Sequence, residues 1–131
     1  MSEVLALLFM ILVQIESGGD KYAVGTANDI GIVQITPIYL KDVNIILKEE
    51  RYTLQDRYDV KKSREMVNIY MKHYGADTIR SKKLSMLDKM LRLGSYHRGG
   101  PRGFKKQSKE LKRYRRKIKR EYYKLFPEEK D

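Results

Sequence analysis

A single acidic side chain at the end of a long apolar run is the first feature of the sequence that could perform chemistry. Glu16 lies in the stretch QIESGGD, directly after ten apolar residues, Val4–Val13. On a helix it lies four and eight residues beyond Leu12 and Leu8, at the C-terminal end of the apolar stripe. Burial and the negative end of the helix dipole both disfavour the carboxylate anion there. Such a carboxyl can keep a proton near neutral pH and act as a general acid; the alternative is an ordinary solvated helix end.

Two later segments carry further polar side chains. Gly31-Ile32-Val33-Gln34 precedes Pro37, and Tyr96-His97-Arg98-Gly99-Gly100-Pro101 follows much later. Together with Glu16-Ser17, these motifs resemble the soluble lytic transglycosylase and goose-type lysozyme superfamily. That pattern has a Glu-Ser pair ending a helix, a Gly-x-x-Gln segment before a proline, and later a Tyr-Asn-x-Gly or His-Asn-Gly-Gly-Pro stretch. The three motifs occur here in the same order, and the resemblance covers nearly the whole chain.

The resemblance implies cleavage of the β-1,4 bond between N-acetylmuramic acid and N-acetylglucosamine in peptidoglycan. Glu16 would protonate the glycosidic oxygen and then, as a base, take the proton of the muramyl 6-hydroxyl, which closes a 1,6-anhydro ring. The N-acetyl group of the substrate would stabilise the intermediate, so one protein carboxylate suffices. Two alternatives remain: a hydrolytic lysozyme of the same fold, and a non-catalytic basic module that binds polyanions.

The resemblance also implies substrate contacts by residues around Glu16. The candidates are Ser17, Tyr22, Ile32, Gln34, Tyr96 and His97. Gln34 would hydrogen-bond the N-acetyl group of the sugar. The family's asparagine is missing: alignment on Pro101 places Arg98 at its position, whereas alignment on Tyr96 places His97 there. We interpret His97 as a contact residue and not as a base.

A second carboxylate across the cleft would favour plain hydrolysis. Asp29, in a turn-rich stretch, and Asp20, just after the first helix, are the candidates. A separation of about 6.5–9.5 Å from Glu16 would fit an inverting lysozyme. Aspartates in turns more often bind their own backbone.

Apolar periodicity and cap residues predict the elements that must position these groups. We expect helices over Ser2–Glu16, Pro37 to about Lys48, Asp59–Tyr74, Leu84 to about His97, and about Gln107–Phe126, with a β-hairpin over Tyr22–Thr36. The predicted fold class is α+β and mostly helical. It is a single lysozyme-like domain over residues 1–131, with a small β-hairpin after the first helix.

Positive charge is concentrated in the last predicted helix. The chain has a net charge of +11, and Arg102–Phe126 contains twelve basic and two acidic residues. Tyr114, Ile118 and Tyr122 recur every four residues, so we interpret them as a core stripe beneath a basic outer face. This face favours anionic wall polymers or a membrane surface as a partner, with nucleic acid less favoured.

The sequence contains no cysteine, so it can form neither a disulfide nor a thiolate metal site, and we predict no metal and no cofactor. Val4–Val13 lacks a positive segment before it and a cleavage site after it, and it is half the ~20 residues that span a bilayer. It therefore predicts a buried helix and not a signal peptide. A wall-active protein without such a signal would be phage-encoded, virion-associated or part of an envelope-spanning apparatus.

Overall fold

The computed structural model describes residues 2–130, which form six α-helices and three short 3-10 turns. The helices are α1 (Glu3–Glu16), α2 (Pro37–Leu47), α3 (Val60–Tyr74), α4 (Ala76–Arg80), α5 (Met86–Gly99) and α6 (Lys109–Leu125). The 3-10 turns are Leu54–Tyr58, Gly103–Lys105 and Pro127–Glu129. All five predicted helices are present with ends shifted by up to two residues, whereas α4 and the 3-10 turns were not predicted. Met1 and Asp131, the ends of the predicted domain, lie outside the described residues.

A polar side chain begins each of the five long helices. The cap residues are Ser2, Thr36, Asp59, Ser85 and Ser108, and each accepts a hydrogen bond from the backbone N–H three residues later. A cap of this kind contributes about 1 kcal/mol to helix stability. The caps therefore account for where the five long helices begin. The start of a helix in turn sets which of its residues lie on each face.

Helix α1 lies at the centre of the hydrophobic core. Leu8 and Leu12 have no exposed surface, Ile11 is 1% exposed, and the helix packs against α3, α5 and α6. Burial of each such side chain contributes about 1.5–3 kcal/mol. Glu16 ends this helix, so its backbone is anchored by the best-buried part of the molecule.

The predicted β-hairpin over Tyr22–Thr36 is wrong, because the described residues contain no strand there. Two isolated antiparallel bridges occur instead, Val24 with Ile30 and Ile30 with Ile35. The chain reverses after a few residues at each of three positions with positive φ: Asn28 (59°), Gly31 (93°) and Gln34 (54°). The apolar run Ile30–Ile35, which resembles a strand in composition, forms a loop that folds back on itself and buries most of its side chains. Because the loop reverses so often, consecutive residues cannot pair with a neighbouring strand, and no β-ladder forms.

A buried arginine holds this loop in place. The guanidinium of Arg57 donates hydrogen bonds to the carbonyl oxygens of Asn28 (2.7 Å), Ile35 (2.9 Å) and Leu54 (2.9 Å). Gly31 lies against the same segment, and a Cβ atom there would collide with the carbonyl oxygen of Arg57. The loop that carries Gln34 is thus held in place by the 3-10 turn Leu54–Tyr58, through the hydrogen bonds of Arg57.

Helices α5 and α6 approach closely at a glycine. A Cβ atom at Gly94 would overlap the side chain of Ile118 and would lie 3.8 Å from the ring of Tyr114. The absence of a side chain at Gly94 therefore lets α6 come near enough for Tyr114 to reach the end of α1.

Candidate active site

Glu16 is nearly enclosed at the end of α1, yet it borders open space. Its side chain is 8% exposed. It lines a cavity of 180 Å³ together with Ile15, Arg98, Glu110, Arg113, Tyr114 and Lys117. The sequence predicted an apolar wall around this carboxyl, whereas most of the neighbours on the cavity side are polar or charged.

Tyr114 holds one oxygen of Glu16. Its hydroxyl donates a 2.7 Å hydrogen bond to Oε2 of Glu16. Burial, and then the charge of Glu16, raise the pKa of Tyr114 well above its usual range, so the hydroxyl keeps its proton and remains a donor. Sequence reasoning assigned Tyr114 to the core stripe only. The one available signal was that a buried tyrosine hydroxyl needs a hydrogen-bond partner.

Arg98 brings positive charge to the same carboxyl. Its Nε donates a 2.9 Å hydrogen bond to Glu110. Burial lowers the pKa of Arg98, but the charges of Glu16 and Glu110 raise it by more, so the net shift is upward. Arg98 thus remains a cation beside Glu16, at the position where one alignment places the family's asparagine.

Of the two residues that the sequence left open, Tyr96 and His97, the ring of His97 lies near Glu16 without a hydrogen bond to it. Nε2 is 3.8 Å from Oε2 of Glu16, which is too long for a hydrogen bond. The same nitrogen is 2.7 Å from the carbonyl oxygen of Val33, so it carries the hydrogen, and Nδ1 accepts from the hydroxyl of Tyr39 at 3.1 Å. Burial lowers the pKa of His97, outweighing the opposing effect of Glu16, so the ring is neutral at pH 7 and forms no ion pair. His97 therefore joins α5 to the loop and to α2.

Ser17 connects the end of α1 to the loop. Its hydroxyl donates a 2.7 Å hydrogen bond to the carbonyl oxygen of Ile32 and accepts one from the N–H of Gly19. The single hydroxyl hydrogen is therefore engaged within the protein. Ile32 contributes this carbonyl, while its side chain packs against the core. Both residues position the loop relative to Glu16.

Gln34 closes the loop with its side-chain amide. Nε2 donates to the carbonyl oxygens of Ala23 (3.0 Å) and Gly31 (2.9 Å). Because both partners are acceptors, the NH₂ group faces them and Oε1 faces away. Gln34 lines a second cavity, so its Oε1 is the atom that can accept a hydrogen bond from a ligand there.

The second cavity adjoins the first at Arg98. It has a volume of 240 Å³, and its lining includes Gln34, Tyr39, Asp42, His97 and Pro101. Arg98 lines both cavities, so they are neighbours; we call the two together the Glu16 cleft, of which Glu16 lines the first cavity only.

Asp42 is a carboxylate of this cleft that sequence reasoning missed. It accepts a 2.6 Å hydrogen bond from the hydroxyl of Tyr74, and this bond, followed by burial, raises the pKa of Tyr74 to about 12. Its position on α2 gave no local signal of a site, since it lies within an ordinary amphipathic pattern.

The remaining predicted residues lie away from both cavities. Asp20 accepts from the N–H of Tyr22 at 2.9 Å, and Asp29 accepts from the N–H of Ala27 at 3.1 Å, so both have turn roles. Tyr22 is 67% exposed. Tyr96 packs against the core and lines neither cavity. Within residues 2–130, no group of three His, Asp or Glu side chains could hold a metal ion.

A scan against family models matches residues 1–122 to the transglycosylase SLT domain. The chain belongs to the transglycosylase SLT domain family. The resemblance read from the sequence motifs is confirmed, and the matched span of this SLT domain contains Glu16, Gln34, His97 and Tyr114. Searches of curated proteins and of solved structures found no match.

Membership of the SLT family supports a peptidoglycan-acting function of the lytic transglycosylase type, exerted on the cell wall. In the part of the SLT domain that the structure describes, no helix is both long and apolar enough to cross a membrane.

Proposed function

We propose that the protein is a lytic transglycosylase that cleaves the β-1,4 bond between N-acetylmuramic acid and N-acetylglucosamine, with Glu16 as its single acid and base. The arrangement of Glu16 supports this proposal most strongly. Its side chain is 8% exposed, borders the cleft, and is held by the 2.7 Å hydrogen bond from Tyr114. A carboxyl in this position is shielded from bulk water but open to a bound glycan strand.

In the acid step, the proton leaves from Oε1 of Glu16. Tyr114 donates to Oε2, so the proton of the neutral carboxyl resides on the other oxygen. Oε1 then protonates the glycosidic oxygen as the bond to the anomeric carbon breaks. The hydroxyl of Tyr114 stabilises the carboxylate that results, because a hydrogen bond to a charged acceptor is about twice as strong as one to a neutral acceptor.

The substrate's N-acetyl group supplies the nucleophile, so the protein needs no second catalytic carboxylate. The N-acetyl oxygen attacks the anomeric carbon as the leaving sugar departs. Gln34 orients this group: its Oε1 accepts a hydrogen bond from the N-acetyl N–H, while its NH₂ group stays bound to Ala23 and Gly31. The N-acetyl group is held in position for attack only if Gln34 itself does not move, so this role depends on the rigidity of the loop.

In the base step, the Glu16 carboxylate takes the proton of the muramyl 6-hydroxyl. The 6-oxygen then bonds to the anomeric carbon and displaces the N-acetyl oxygen, which gives the 1,6-anhydro ring. Glu16 regains the proton that it delivered in the first step, so the enzyme returns to its starting state and no water is consumed.

Hydrolysis by water is the second candidate, and Asp42 is the observation in its favour. It lies in the cleft that Glu16 borders, whereas Asp20 and Asp29 do not. Its hydrogen bond from Tyr74 at 2.6 Å engages one of its oxygens. An inverting enzyme would use such a carboxylate to activate a water on the opposite face of the sugar.

Clearing of purified cell walls by wild type and by Glu16→Gln tests the assignment of the acid. We expect the substituted protein to lose clearing. Glu65→Gln is the matched control, because Glu65 also accepts a tyrosine hydroxyl, from Tyr52 at 2.8 Å, but lines neither cavity. Equal clearing by wild type and Glu16→Gln would show that Glu16 is not the acid, whereas absence of clearing by wild type would leave a binding module as the better account.

Mass spectrometry of the released muropeptides separates the two enzymatic outcomes. Anhydro ends support the transglycosylase. Reducing ends would overturn it in favour of a hydrolase, and activity would then be lost in Asp42→Asn.

A further inference from the structure

A basic groove lies on α6, away from the Glu16 cleft. It has a volume of 440 Å³ and is lined by Arg116, Lys119, Arg120, Tyr123, Lys124 and Lys130. Five of these six residues are cations and none is a carboxylate. Glu121, which lines the adjoining groove described next, pairs with Lys124 at 3.0 Å and with Arg120 at 3.7 Å and offsets one of the five positive charges, so the surface stays positive.

An apolar groove of 520 Å³ adjoins the basic one. It runs between α1 and the end of α6, and most of its lining is apolar. Phe9, Met10 and Val13 lie on the α1 side, and Leu125 lies on the α6 side beside the paired charges of Glu121 and Lys124. Met10 is 54% exposed and Leu125 is 44% exposed. Lys124 lines both grooves, so the apolar and basic parts form one continuous surface, which we call the α1–α6 face.

The α1–α6 face is separate from the cleft, since no residue that lines either of its grooves lines a cavity around Glu16. The proposed reaction therefore makes no use of it. Large exposed apolar side chains beside a cluster of cations are typical of a surface that binds a partner molecule or a membrane.

We propose that the α1–α6 face binds the surface of an anionic phospholipid bilayer. The cations contact headgroup phosphates, and Met10 and Leu125 enter the boundary between headgroups and acyl chains. Tyr123, on the basic side, has the amphipathic ring that favours this depth. A nucleic acid or an anionic wall polymer would use the basic groove alone, because neither offers acyl chains to the apolar groove. The continuity of the two grooves thus favours the bilayer.

Sedimentation with lipid vesicles tests the electrostatic part. We expect the full chain to bind vesicles made of equal amounts of phosphatidylglycerol and phosphatidylcholine, and not vesicles of phosphatidylcholine alone. Lys119→Gln/Arg120→Gln should weaken binding roughly 25-fold, since one cation near an anionic surface contributes about fivefold. Lys82→Gln/Lys83→Gln is the control: it removes the same charge from exposed residues that line neither groove, and binding should change far less.

Met10→Gln/Leu125→Gln tests the apolar part at unchanged charge. We expect a loss of about tenfold or more in vesicle binding, because the two side chains no longer bury apolar area. Both positions are largely exposed, so thermal unfolding should be almost unaffected. The single variant Leu125→Gln, with about half the effect in free energy, provides a second measurement if the double variant is less stable.

Three results would overturn the proposal. The first is that Lys82→Gln/Lys83→Gln weakens vesicle binding as much as Lys119→Gln/Arg120→Gln does, which would mean that the whole positive charge of the protein, and not the α1–α6 face, attracts it to the vesicles. The second is unchanged vesicle binding by Met10→Gln/Leu125→Gln, which would mean that the apolar groove is unused. The third is tighter binding to duplex DNA than to vesicles, insensitive to the same variant, which would assign the face to nucleic acid. The vesicles contain no peptidoglycan, so each result is independent of the proposed reaction.

Discussion

The hydroxyl of Tyr114 lies 2.7 Å from Oε2 of Glu16, although the two residues are 98 positions apart in the chain. This hydrogen bond joins the last long helix to the carboxyl group of Glu16 at the end of the first. It leaves Oε1 as the oxygen of Glu16 that Tyr114 does not engage, and it gives α6 a polar contact with this carboxyl in addition to its packing against the core.

Removal of this hydroxyl should slow the reaction more than it destabilises the fold. We expect Tyr114→Phe to lower kcat by about 10- to 100-fold, because a hydrogen bond to a charged acceptor is worth about 1.5–3 kcal/mol. Wall clearing and thermal unfolding measure the two effects. Tyr122→Phe is the control, since Tyr122 is also buried on α6 and donates to a carboxylate, Glu129, at 2.8 Å outside the cleft. Equal loss of activity in both variants would mean that the Tyr114 hydroxyl only stabilises α6.

His97 should make the stability of the protein pH-dependent. Burial lowers its pKa from the usual 6.5, whereas the unfolded chain takes up the proton at the usual value. The contribution of the neutral ring is therefore complete above pH 6.5 and is lost as the pH falls towards the folded-state pKa, at about 1.4 kcal/mol per pH unit. Urea unfolding measured from pH 7 downwards should show this slope in wild type and in His73→Gln, and a smaller slope in His97→Gln. Identical slopes in all three proteins would contradict a neutral, buried His97.

Exchange of the amide of Gln34 for a carboxylate should open the loop. In Gln34→Glu, two donors are replaced by an acceptor that faces the carbonyl oxygens of Ala23 and Gly31. We expect a loss of about 1–3 kcal/mol in the free energy of unfolding, together with loss of wall clearing. Gln55→Glu introduces the same charge at an exposed position of the 3-10 turn Leu54–Tyr58 and should change neither. Full stability of Gln34→Glu would show that the amide does not hold the loop.

Arg57 should be needed for the loop and not for the chemistry. Arg57→Met removes a donor from three carbonyl oxygens, of which that of Ile35 keeps the N–H of Ile30, and we expect a loss of about 2 kcal/mol or more in the free energy of unfolding. Arg51→Met is the control, because Arg51 is exposed and pairs only with Glu49 in the described contacts; little change is expected. Chemical denaturation measures both. If Arg57→Met is as stable as wild type and keeps an ordered loop, the guanidinium of Arg57 does not hold the loop.

The five long helices were predictable because each has a strong local cause. Thr36-Pro37 and Ser108 begin helices through side-chain caps, and the apolar run before Glu16 has no alternative to burial. The loop was not predictable in the same way. Ile30–Ile35 has the composition of a strand, but the positive φ of Gln34 and the buried guanidinium of Arg57 are tertiary effects without a sequence signal.

The position of Glu16 beside a cavity agrees with the sequence prediction, whereas the identity of its neighbours was not predicted. Glu16, Gln34 and His97 come from motifs, and the structure brings them to one cleft. Tyr114 and Asp42 come from helices whose periodicity explains them fully as packing or surface residues. Because helical periodicity already explains Tyr114 and Asp42, nothing in the sequence was a reason to place them near Glu16. Their positions became evident only from the hydrogen bond of Tyr114 and from the cavity that Asp42 lines.

The order of the site residues along the chain has a consequence for the protein as it is synthesised. Tyr114 is made 98 residues after Glu16, so the hydrogen bond between them cannot form until Tyr114 has left the ribosome. Until then α1 lacks the helix that covers part of it, and the nascent chain presents apolar surface in place of a working cleft. The cleft around Glu16 is therefore complete only once α6 has packed against α1.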